Sequence, residues 1–150
     1  MHKVYLLLGS NIGDRKKNIE IALSELKHCG LIISKISSMY NTSPWGYIEQ
    51  PEFLNVALEC FTSLQPFDLL KEIKKIEKKM GRVDTVKYGP RIIDIDIIFY
   101  DDLILKSEEL TIPHPLMHER LFVLKPLSEI APDFVHPELK QSVKELIEKL

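Results

Sequence analysis

The sequence has few of the residues and segments that mark special classes of protein. Two cysteines in 150 residues are too few for a disulfide-stabilised secreted scaffold or for a zinc site made of cysteine alone. We therefore expect Cys29 and Cys60 to be reduced thiols in a cytoplasmic protein. The apolar run Val4–Leu8 ends at Gly9, and it is too short for a signal peptide or a membrane span.

An excess of charge of one sign is also lacking. The 20 basic and 22 acidic side chains leave a net charge of -2, which disfavours a nucleic-acid partner. Hydrophobic residues make up 45% and charged residues 28% of the chain, a composition typical of a soluble globular protein. The length predicts one domain over residues 1–150, and we expect a monomer that does not bind membranes.

Hydrophobic periodicity predicts a regular alternation of strands and helices. Buried strands are predicted at 3–8, 31–39, 53–61 and 92–100, with one helix after residue 14 that ends at Gly30 and another from Pro66 to Gly81. This β-α-β-β-α-β order is typical of an α+β, ferredoxin-like fold with a mostly antiparallel sheet and both helices on one face. Loops are predicted at 41–51 and 82–91, a short return strand at 103–105, an irregular segment at 111–115, and helices at 120–127 and 143–150.

The strongest strand signal, residues 92–100, carries two aspartates. Strict alternation puts Asp94 and Asp96 on the face shared with Ile98 and Tyr100, and puts Phe99 on the opposite face. Two neighbouring carboxylates in a central strand need a positive partner. Mg²⁺ commonly takes one or two carboxylates together with substrate phosphates. The spacing alone leaves an alternative open, in which both aspartates are exposed or pair with arginines.

Basic residues dominate the loop before this strand. Arg82, Lys87 and Arg91 outnumber the one acid in the loop, Asp84. Cations beside two carboxylates are typical of a magnesium–polyphosphate site. Taken alone, a solvated basic loop with local ion pairs explains the same residues.

Other segments give weaker signals. The turn at 9–13 lacks the lysine of a phosphate-binding P-loop and is predicted as a capped turn. Trp45 lies in a loop rich in proline and glycine, where its ring could stack on a flat heterocycle or pack in the core. His114 and His118 are four residues apart, but the prolines beside His114 argue against a helical zinc site. A neutral His114 bonded to a phosphate or to a core group is favoured.

The segment Lys87–Ile98, with the sequence Lys-Tyr-Gly-Pro-Arg-Ile-Ile-Asp-Ile-Asp-Ile-Ile, resembles the signature of the 6-hydroxymethyl-7,8-dihydropterin pyrophosphokinase family of folate synthesis. Further matches follow in order between residues 3 and 135: Gly9-Ser10-Asn11, Tyr40-Asn41-Thr42-Ser43-Pro44 with Gly46, Gln50-Pro51 with Leu54-Asn55, Glu77 before Gly81-Arg82, and Thr111-Ile112-Pro113-His114-Pro115. The resemblance implies a three-layer α/β/α form of the fold. It also implies transfer of the β,γ-pyrophosphoryl group of ATP to the hydroxymethyl oxygen of the pterin, with AMP as the second product.

The resemblance implies roles for individual residues as well. Asp94 and Asp96 would bind two Mg²⁺ ions that bridge the triphosphate and the attacking hydroxyl, and Arg82 and Arg91 would be catalytic residues that stabilise charge on the transferred group. The residues expected to bind ATP, the co-substrate, are Glu77, Ile97, Thr111, His114 and Arg120. The residues expected to bind the pterin are Thr42, Ser43, Pro44, Trp45, Gly46, Phe53, Asn55 and Phe122, of which Phe53 and Phe122 would sandwich the ring. Loops at 9–14, 43–53 and 82–91 would close over ATP.

The sequence departs from the family pattern at several positions. Asp84 and Glu109 stand where family members often carry arginine, so those two ATP contacts are not expected in this chain. Phe53 stands where tyrosine occurs, Ser43 replaces a common proline, and Tyr88 stands where a larger aromatic residue or phenylalanine is common. These changes bear on ATP affinity and loop closure more than on the reaction.

Two other functions fit parts of the pattern. One is a different magnesium-dependent phosphotransferase on the same fold, which would release ADP instead of AMP. The other is a ferredoxin-like regulatory module that binds a small ligand without turnover. Such a module would not need paired aspartates beside arginines.

Overall fold

The computed structural model describes residues 1–43, 49–81 and 91–150. Its elements in chain order are β1 (His2–Ser10), α1 (Arg15–His28), β2 (Ile32–Ile36), β3 (Tyr40–Thr42), β4 (Phe53–Thr62), α2 (Pro66–Lys79), β5 (Asp94–Tyr100), β6 (Leu105–Lys106), β7 (Thr111–Ile112), a 3-10 helix (Met117–Glu119), α3 (Leu121–Ile130) and α4 (Val143–Glu148).

The long strands form one antiparallel sheet in the order β2-β4-β1-β5. The short strand β3 pairs with the beginning of β4, and β6 and β7 form a separate two-stranded sheet. The four long strands follow one another in space as second, third, first and fourth along the chain, which is the order of the ferredoxin-like fold. The predicted α+β class with a mostly antiparallel sheet is confirmed.

The sheet is buried on both faces. On one face, Val4, Leu6 and Leu8 of β1 pack against α1 and α2 in a core that includes Ile19 and Ile73. On the other face, side chains of β1 and β5 pack against α3 and α4. The two predicted central helices do share one face, and the C-terminal helices form a third layer on the other, which agrees with the α/β/α arrangement that the resemblance implies.

A β-bulge in β5 breaks the predicted alternation. Tyr5 pairs with Phe99 whereas Leu6 pairs with Ile97, so Ile98 is an extra residue in the ladder. As a result Ile98 and Phe99 both face α3 and α4, and Tyr100 faces α1 and α2. The expected positions of Phe99 and Tyr100 are therefore wrong, because strict alternation assumes an unbroken ladder.

Short elements also differ from the sequence expectations. Tyr40–Thr42 and Thr111–Ile112 are strands in segments predicted as loop or irregular structure. Each is too short to show a strand pattern of its own and is defined by its pairing, with β4 and β6 respectively. Helix α3 continues past Pro126 to Ile130, because Leu127 and Ile130 are buried against the sheet. Over the described residues, no helix has the length and apolar character needed to cross a membrane. Cys29 and Cys60 are free thiols.

Candidate active site

A residue expected to bind the pterin and a residue expected to bind the metal lie in one row across the sheet. Gly9 on the central strand β1 pairs with Asn55 on β4 and with Asp94 on β5. Residues directly opposite one another share a face of the sheet. Two strand spacings, about 10 Å, therefore separate the backbones of Asn55 and Asp94.

This row faces the layer of α3 and α4. Two residues along from Gly9, Leu7 pairs with Ala57 and Asp96, and both Leu7 and Ala57 pack in the core beneath α3 and α4. Side chains two residues apart in a strand share a face. Asp94 and Asp96 thus project on the same side as Phe53 and Asn55, at the same end of the sheet.

Gly9 allows Asn55 an unusually close approach. A Cβ atom at position 9 would lie 2.6 Å from Asn55 Oδ1 and 3.5 Å from Phe53 Cδ1. Asn55 is buried, and its Nδ2 donates to Thr42 Oγ1 at 2.5 Å. The pairing of β3 with β4 thus brings together three of the expected pterin residues, Thr42, Phe53 and Asn55. Ser43 follows β3 and is exposed, while Pro44, Trp45 and Gly46 lie outside the described residues.

The two aspartates offer hard oxygen donors and are half-buried. Among residues 1–43, 49–81 and 91–150, no group of three or more His, Cys, Asp and Glu ligands occurs. One or two carboxylates are the protein donors that Mg²⁺ commonly uses when substrate phosphates complete its coordination. The two aspartates therefore fit a magnesium–phosphate site.

His114 lies within electrostatic reach of Asp94 and Arg120. Burial and the Arg120 charge lower the pKa of His114 from 6.5 to about 4, against a raising effect of Asp94. The ring is therefore neutral at pH 7. Its backbone N–H donates to Ile98 O at 3.1 Å, which fixes the residue beside the bulge of β5. Its Nδ1 atom is buried and has no hydrogen-bond partner in the described part of the chain, so its hydrogen-bonding capacity is not met there.

Arg120 and Phe122 lie at the beginning of α3. Arg120 is the N-cap residue of this helix, and it is only 8% exposed. A cation at a helix N-terminus is unfavourably placed with respect to the helix dipole, so helix stability does not explain its position. The guanidinium carbon lies 5.6 Å from the centroid of the Phe122 ring, which places a positive charge and an aromatic face side by side.

The other expected ATP residues lie around β5. Glu77 of α2 is buried, and its Oε2 accepts from the backbone N–H of Ile95 at 2.9 Å. Thr111 on β7 lines a surface cleft of about 650 Å³, together with Lys106 and Glu138. The Ile97 side chain packs on the α1 and α2 face, opposite the two aspartates. Any contact between Ile97 and a nucleotide on the aspartate face must therefore use its backbone.

Asn11 connects three segments of the site. Its backbone N–H donates to Arg91 O at 3.0 Å, and its Oδ1 accepts from the Arg91 N–H at 2.8 Å. Its Nδ2 donates to Gln50 Oε1 at 2.7 Å and to Pro51 O at 3.1 Å. Asn11 thereby positions the backbone of Arg91, one of the two expected catalytic arginines; the other, Arg82, lies outside the described residues.

Asn11 has no role that its sequence pattern predicts. The Gly-Ser-Asn match after the first strand indicates only a capped turn. The partners of Asn11 are about 40 and 80 residues away along the chain, so only the folded arrangement identifies it.

Comparison with known protein families shows to which family the chain belongs. The family model for 7,8-dihydro-6-hydroxymethylpterin-pyrophosphokinase matches residues 5–132. The chain belongs to this pyrophosphokinase family. Within the family, it is 46% identical over 145 residues to the 2-amino-4-hydroxy-6-hydroxymethyldihydropteridine pyrophosphokinase of Aquifex aeolicus, with 97% of this chain and 90% of that protein covered.

Some relatives in the pyrophosphokinase family are much longer. The chain is 56% identical over 137 residues to the folic acid synthesis protein FOL1 of Dictyostelium discoideum, which covers 91% of this chain but only 20% of FOL1. A crystal structure of wild-type HPPK-DHPS from Plasmodium falciparum with pteroate superposes with a TM-score of 0.79 at 19% identity. The match covers 99% of this chain and 42% of that one, and at this identity it supports the fold alone.

Proposed function

We propose that this chain transfers the β,γ-pyrophosphoryl group of ATP to the hydroxymethyl oxygen of 6-hydroxymethyl-7,8-dihydropterin, a reaction of folate synthesis. The hydroxymethyl oxygen forms a bond to the β-phosphorus, and the bond from that phosphorus to the α–β bridging oxygen breaks. AMP leaves with the bridging oxygen, and the hydroxyl proton is released. The products are AMP and the pterin diphosphate.

One observation carries this proposal beyond family membership. Asn55, Gly9 and Asp94 form one row across three neighbouring strands, on a single face of the sheet. A pterin held beside Asn55 and a triphosphate held beside Asp94 are then neighbours on a rigid element. Such an arrangement orients two substrates for in-line transfer without a covalent enzyme intermediate.

We infer that ATP binds with two Mg²⁺ ions held by Asp94 and Asp96. When bound, the metal ions neutralise charge on the phosphate oxygens and polarise the reacting groups. Arg91, and with it Arg82, would stabilise charge that develops on the transferred group. Because metals and arginines stabilise this charge, the site needs little acid–base chemistry from the protein.

The remaining residues would bind and orient the substrates. His114, neutral at pH 7 and with a buried Nδ1, would hydrogen-bond a phosphate oxygen, and Arg120 would supply positive charge next to it. Glu77 and Thr111 would lie near the nucleotide, with Ile97 contributing only backbone atoms. Phe53 and Phe122 would stack on the pterin, while Asn55 and Thr42 would bond its polar edge. Ser43, Pro44, Trp45 and Gly46 would complete the pterin pocket.

We also propose that residues 1–150 form a single domain that works as a monomer in the cytoplasm, on small-molecule substrates. Neither a nucleic acid nor a membrane is needed for the reaction. Sedimentation of the purified chain at micromolar concentration tests the oligomeric state. A mass above one chain under those conditions would contradict the monomer.

Product analysis tests the reaction directly. The protein is incubated with ATP, Mg²⁺ and 6-hydroxymethyl-7,8-dihydropterin, and nucleotides and pterins are separated by chromatography. We expect AMP and pterin diphosphate in a one-to-one ratio, and neither product from the Asp96→Asn variant. ADP in place of AMP would replace this reaction by another phosphotransfer on the same site. Binding of the pterin and ATP without turnover by the wild-type protein would favour a regulatory module.

A further inference from the structure

Helix α3 joins two parts of the proposed pterin pocket. Phe122, at its beginning, would contact the pterin from the helix side. Thr42, Phe53 and Asn55 would contact it from the sheet side, on the ribbon formed by β3 and β4. The helix has ten residues, about 15 Å in length, so its far end lies well away from Phe122.

At that far end, Glu129 binds the segment that leads into β3. One carboxylate accepts hydrogen bonds from the Ser38 backbone N–H at 2.9 Å, from Ser38 Oγ at 3.2 Å and from the Tyr40 hydroxyl at 2.5 Å. The bond from Tyr40 lowers the pKa of Glu129, so the carboxylate is ionised at neutral pH. Bonds to an ionised acceptor are stronger than those between neutral groups.

A second contact from the same helix holds Tyr40. The Lys125 ammonium lies 5.6 Å from the centroid of the Tyr40 ring, in the range of a cation–π contact. Lys125 and Glu129 are one helical turn apart and thus share a helix face. Lys125 thus contacts the ring of Tyr40, and Glu129 accepts a hydrogen bond from its hydroxyl.

The position of Tyr40 determines the position of residues that are proposed to bind the pterin. It pairs with Asn55 in the ladder between β3 and β4, and Thr42, two residues further along β3, accepts the hydrogen bond of Asn55. Displacement of Tyr40 therefore displaces the strand that carries Thr42 and orients Asn55.

We infer that Glu129 is a positioning residue for the pterin pocket, because it fixes the spacing between the helix that carries Phe122 and the ribbon that carries Thr42 and Asn55. This inference rests on the proposed function, in which those residues bind the pterin. Glu129 is too far along α3 to be one of the pterin contacts at its beginning. Its effect is expected on pterin affinity and not on the chemistry at Asp94 and Asp96.

Glu129 is suited to a clean test because it is exposed. The attachment of α3 to the sheet comes mainly from buried side chains such as Val123, Leu124 and Leu127. Removal of an exposed carboxylate should leave that packing intact, so the variant is expected to fold. A change in substrate affinity is then separable from a change in stability.

The experiment measures KM for the pterin, KM for ATP and kcat for four variants. We expect Glu129→Ala to raise the pterin KM about tenfold, the effect of losing hydrogen bonds to one charged group, with the ATP KM and kcat within about twofold of wild type. Glu129→Gln keeps an oxygen acceptor and should restore part of the affinity. Tyr40→Phe should raise the pterin KM less than Glu129→Ala, and combining Tyr40→Phe with Glu129→Ala should add little.

The matched control is Glu145→Ala on α4. Glu145 is also an exposed carboxylate bonded to a backbone N–H, that of Ser142, at the beginning of its helix. This control variant should have a lower melting temperature than the wild type and unchanged KM values for the pterin and for ATP. Wild-type turnover combined with an unchanged pterin KM in Glu129→Ala would overturn the inference and leave the proposed function standing. An equal rise of both KM values would also overturn it, whereas an inactive wild-type protein would overturn both.

Discussion

Gly9 faces Asn55 across the β1–β4 ladder at a separation that leaves no room for a side chain. The Oδ1 atom of Asn55 would lie 2.6 Å from a Cβ atom at position 9, whereas ordinary carbon contacts begin well beyond 3 Å. The amide of Asn55 is buried, and it also binds Thr42. Its orientation thus depends on the absence of a side chain on the neighbouring strand.

Gly9→Ala should therefore weaken pterin binding. The added methyl group would push the Asn55 amide away from Thr42, and the loss of such a hydrogen bond should raise the pterin KM about threefold to tenfold. Steady-state kinetics with the pterin as the varied substrate checks this. Gly30→Ala is the control, because Gly30 has a positive φ of 93° but nothing within 4 Å of a Cβ atom. It should lower the melting temperature and leave the pterin KM unchanged.

Asp96→Asn should abolish turnover without unfolding the protein. The amide matches the carboxylate in shape but cannot supply the charge that a magnesium–phosphate site needs, so kcat should fall by at least about 100-fold. Thermal melting checks that the variant is folded. Asp102→Asn, in the exposed turn after β5, is the matched control and should be fully active. Normal turnover by Asp96→Asn would show that the metal site is assigned wrongly.

Stability should fall as the pH drops from 6.5 towards 4, in part through His114. Burial lowers the pKa of His114 to about 4, so in this window the unfolded chain binds more protons than the folded one, and the free energy of unfolding rises with pH by up to about 1.4 kcal/mol per pH unit. His114→Gln should flatten this dependence in denaturant titrations at several pH values.

His136 offers a comparison for that measurement. Burial lowers its pKa as well, and its Nδ1 accepts from the backbone N–H groups of Glu138 and Leu139 at 3.1 and 3.0 Å. His136→Gln should therefore also flatten the pH dependence of stability. Only His114→Gln should weaken ATP binding, measured by isothermal titration with Mg²⁺ present. Equal ATP affinity of the two variants would argue against His114 as a phosphate ligand.

Asn11→Asp should reduce kcat through Arg91. The carboxylate keeps the acceptor for the Arg91 N–H but loses the donor to Gln50 Oε1 and Pro51 O, and it places negative charge against both oxygens. A buried hydrogen-bonding group that loses its partner lowers the free energy of unfolding by about 1–3 kcal/mol. The melting temperature should therefore fall by a few degrees and kcat by about tenfold. Asn41→Asp, on the exposed side of β3, serves as the control. A kcat equal to wild type in Asn11→Asp would exclude the positioning of Arg91 through Asn11.

Much of the fold could be predicted because it is encoded locally. The apolar runs of β1 and β5 and the helical spacing of Ile19, Ala22 and Leu26 each depend on residues within one element. The bulge at Ile98 could not be predicted, since it arises from the register between β1 and β5. Likewise, Tyr40–Thr42 forms a strand only because β4 provides its partner.

The candidate site also combines features that local sequence predicts with features that only the folded chain shows. Asp94 and Asp96 could be recognised because the spacing of two residues in a strand fixes their common face. The row through Asn55 and Gly9, the hydrogen bonds of Asn11 and the contact of Glu129 with Tyr40 each join residues between 39 and 89 positions apart. No local pattern contains that information.

The bulge in β5 constrains the length of this strand. Asp96 and Phe99 are an odd number of residues apart, yet both face α3 and α4 because of the extra residue Ile98. The carbonyl of Ile98 also binds the backbone of His114. A deletion at Ile98 would turn either the Phe99 ring or the two aspartates towards α1 and α2. It would also remove the hydrogen bond that fixes the His114 backbone. Over evolutionary time, the length of β5 between Asp96 and Phe99 should be invariant, whereas the two buried positions between them should tolerate other apolar side chains of similar volume.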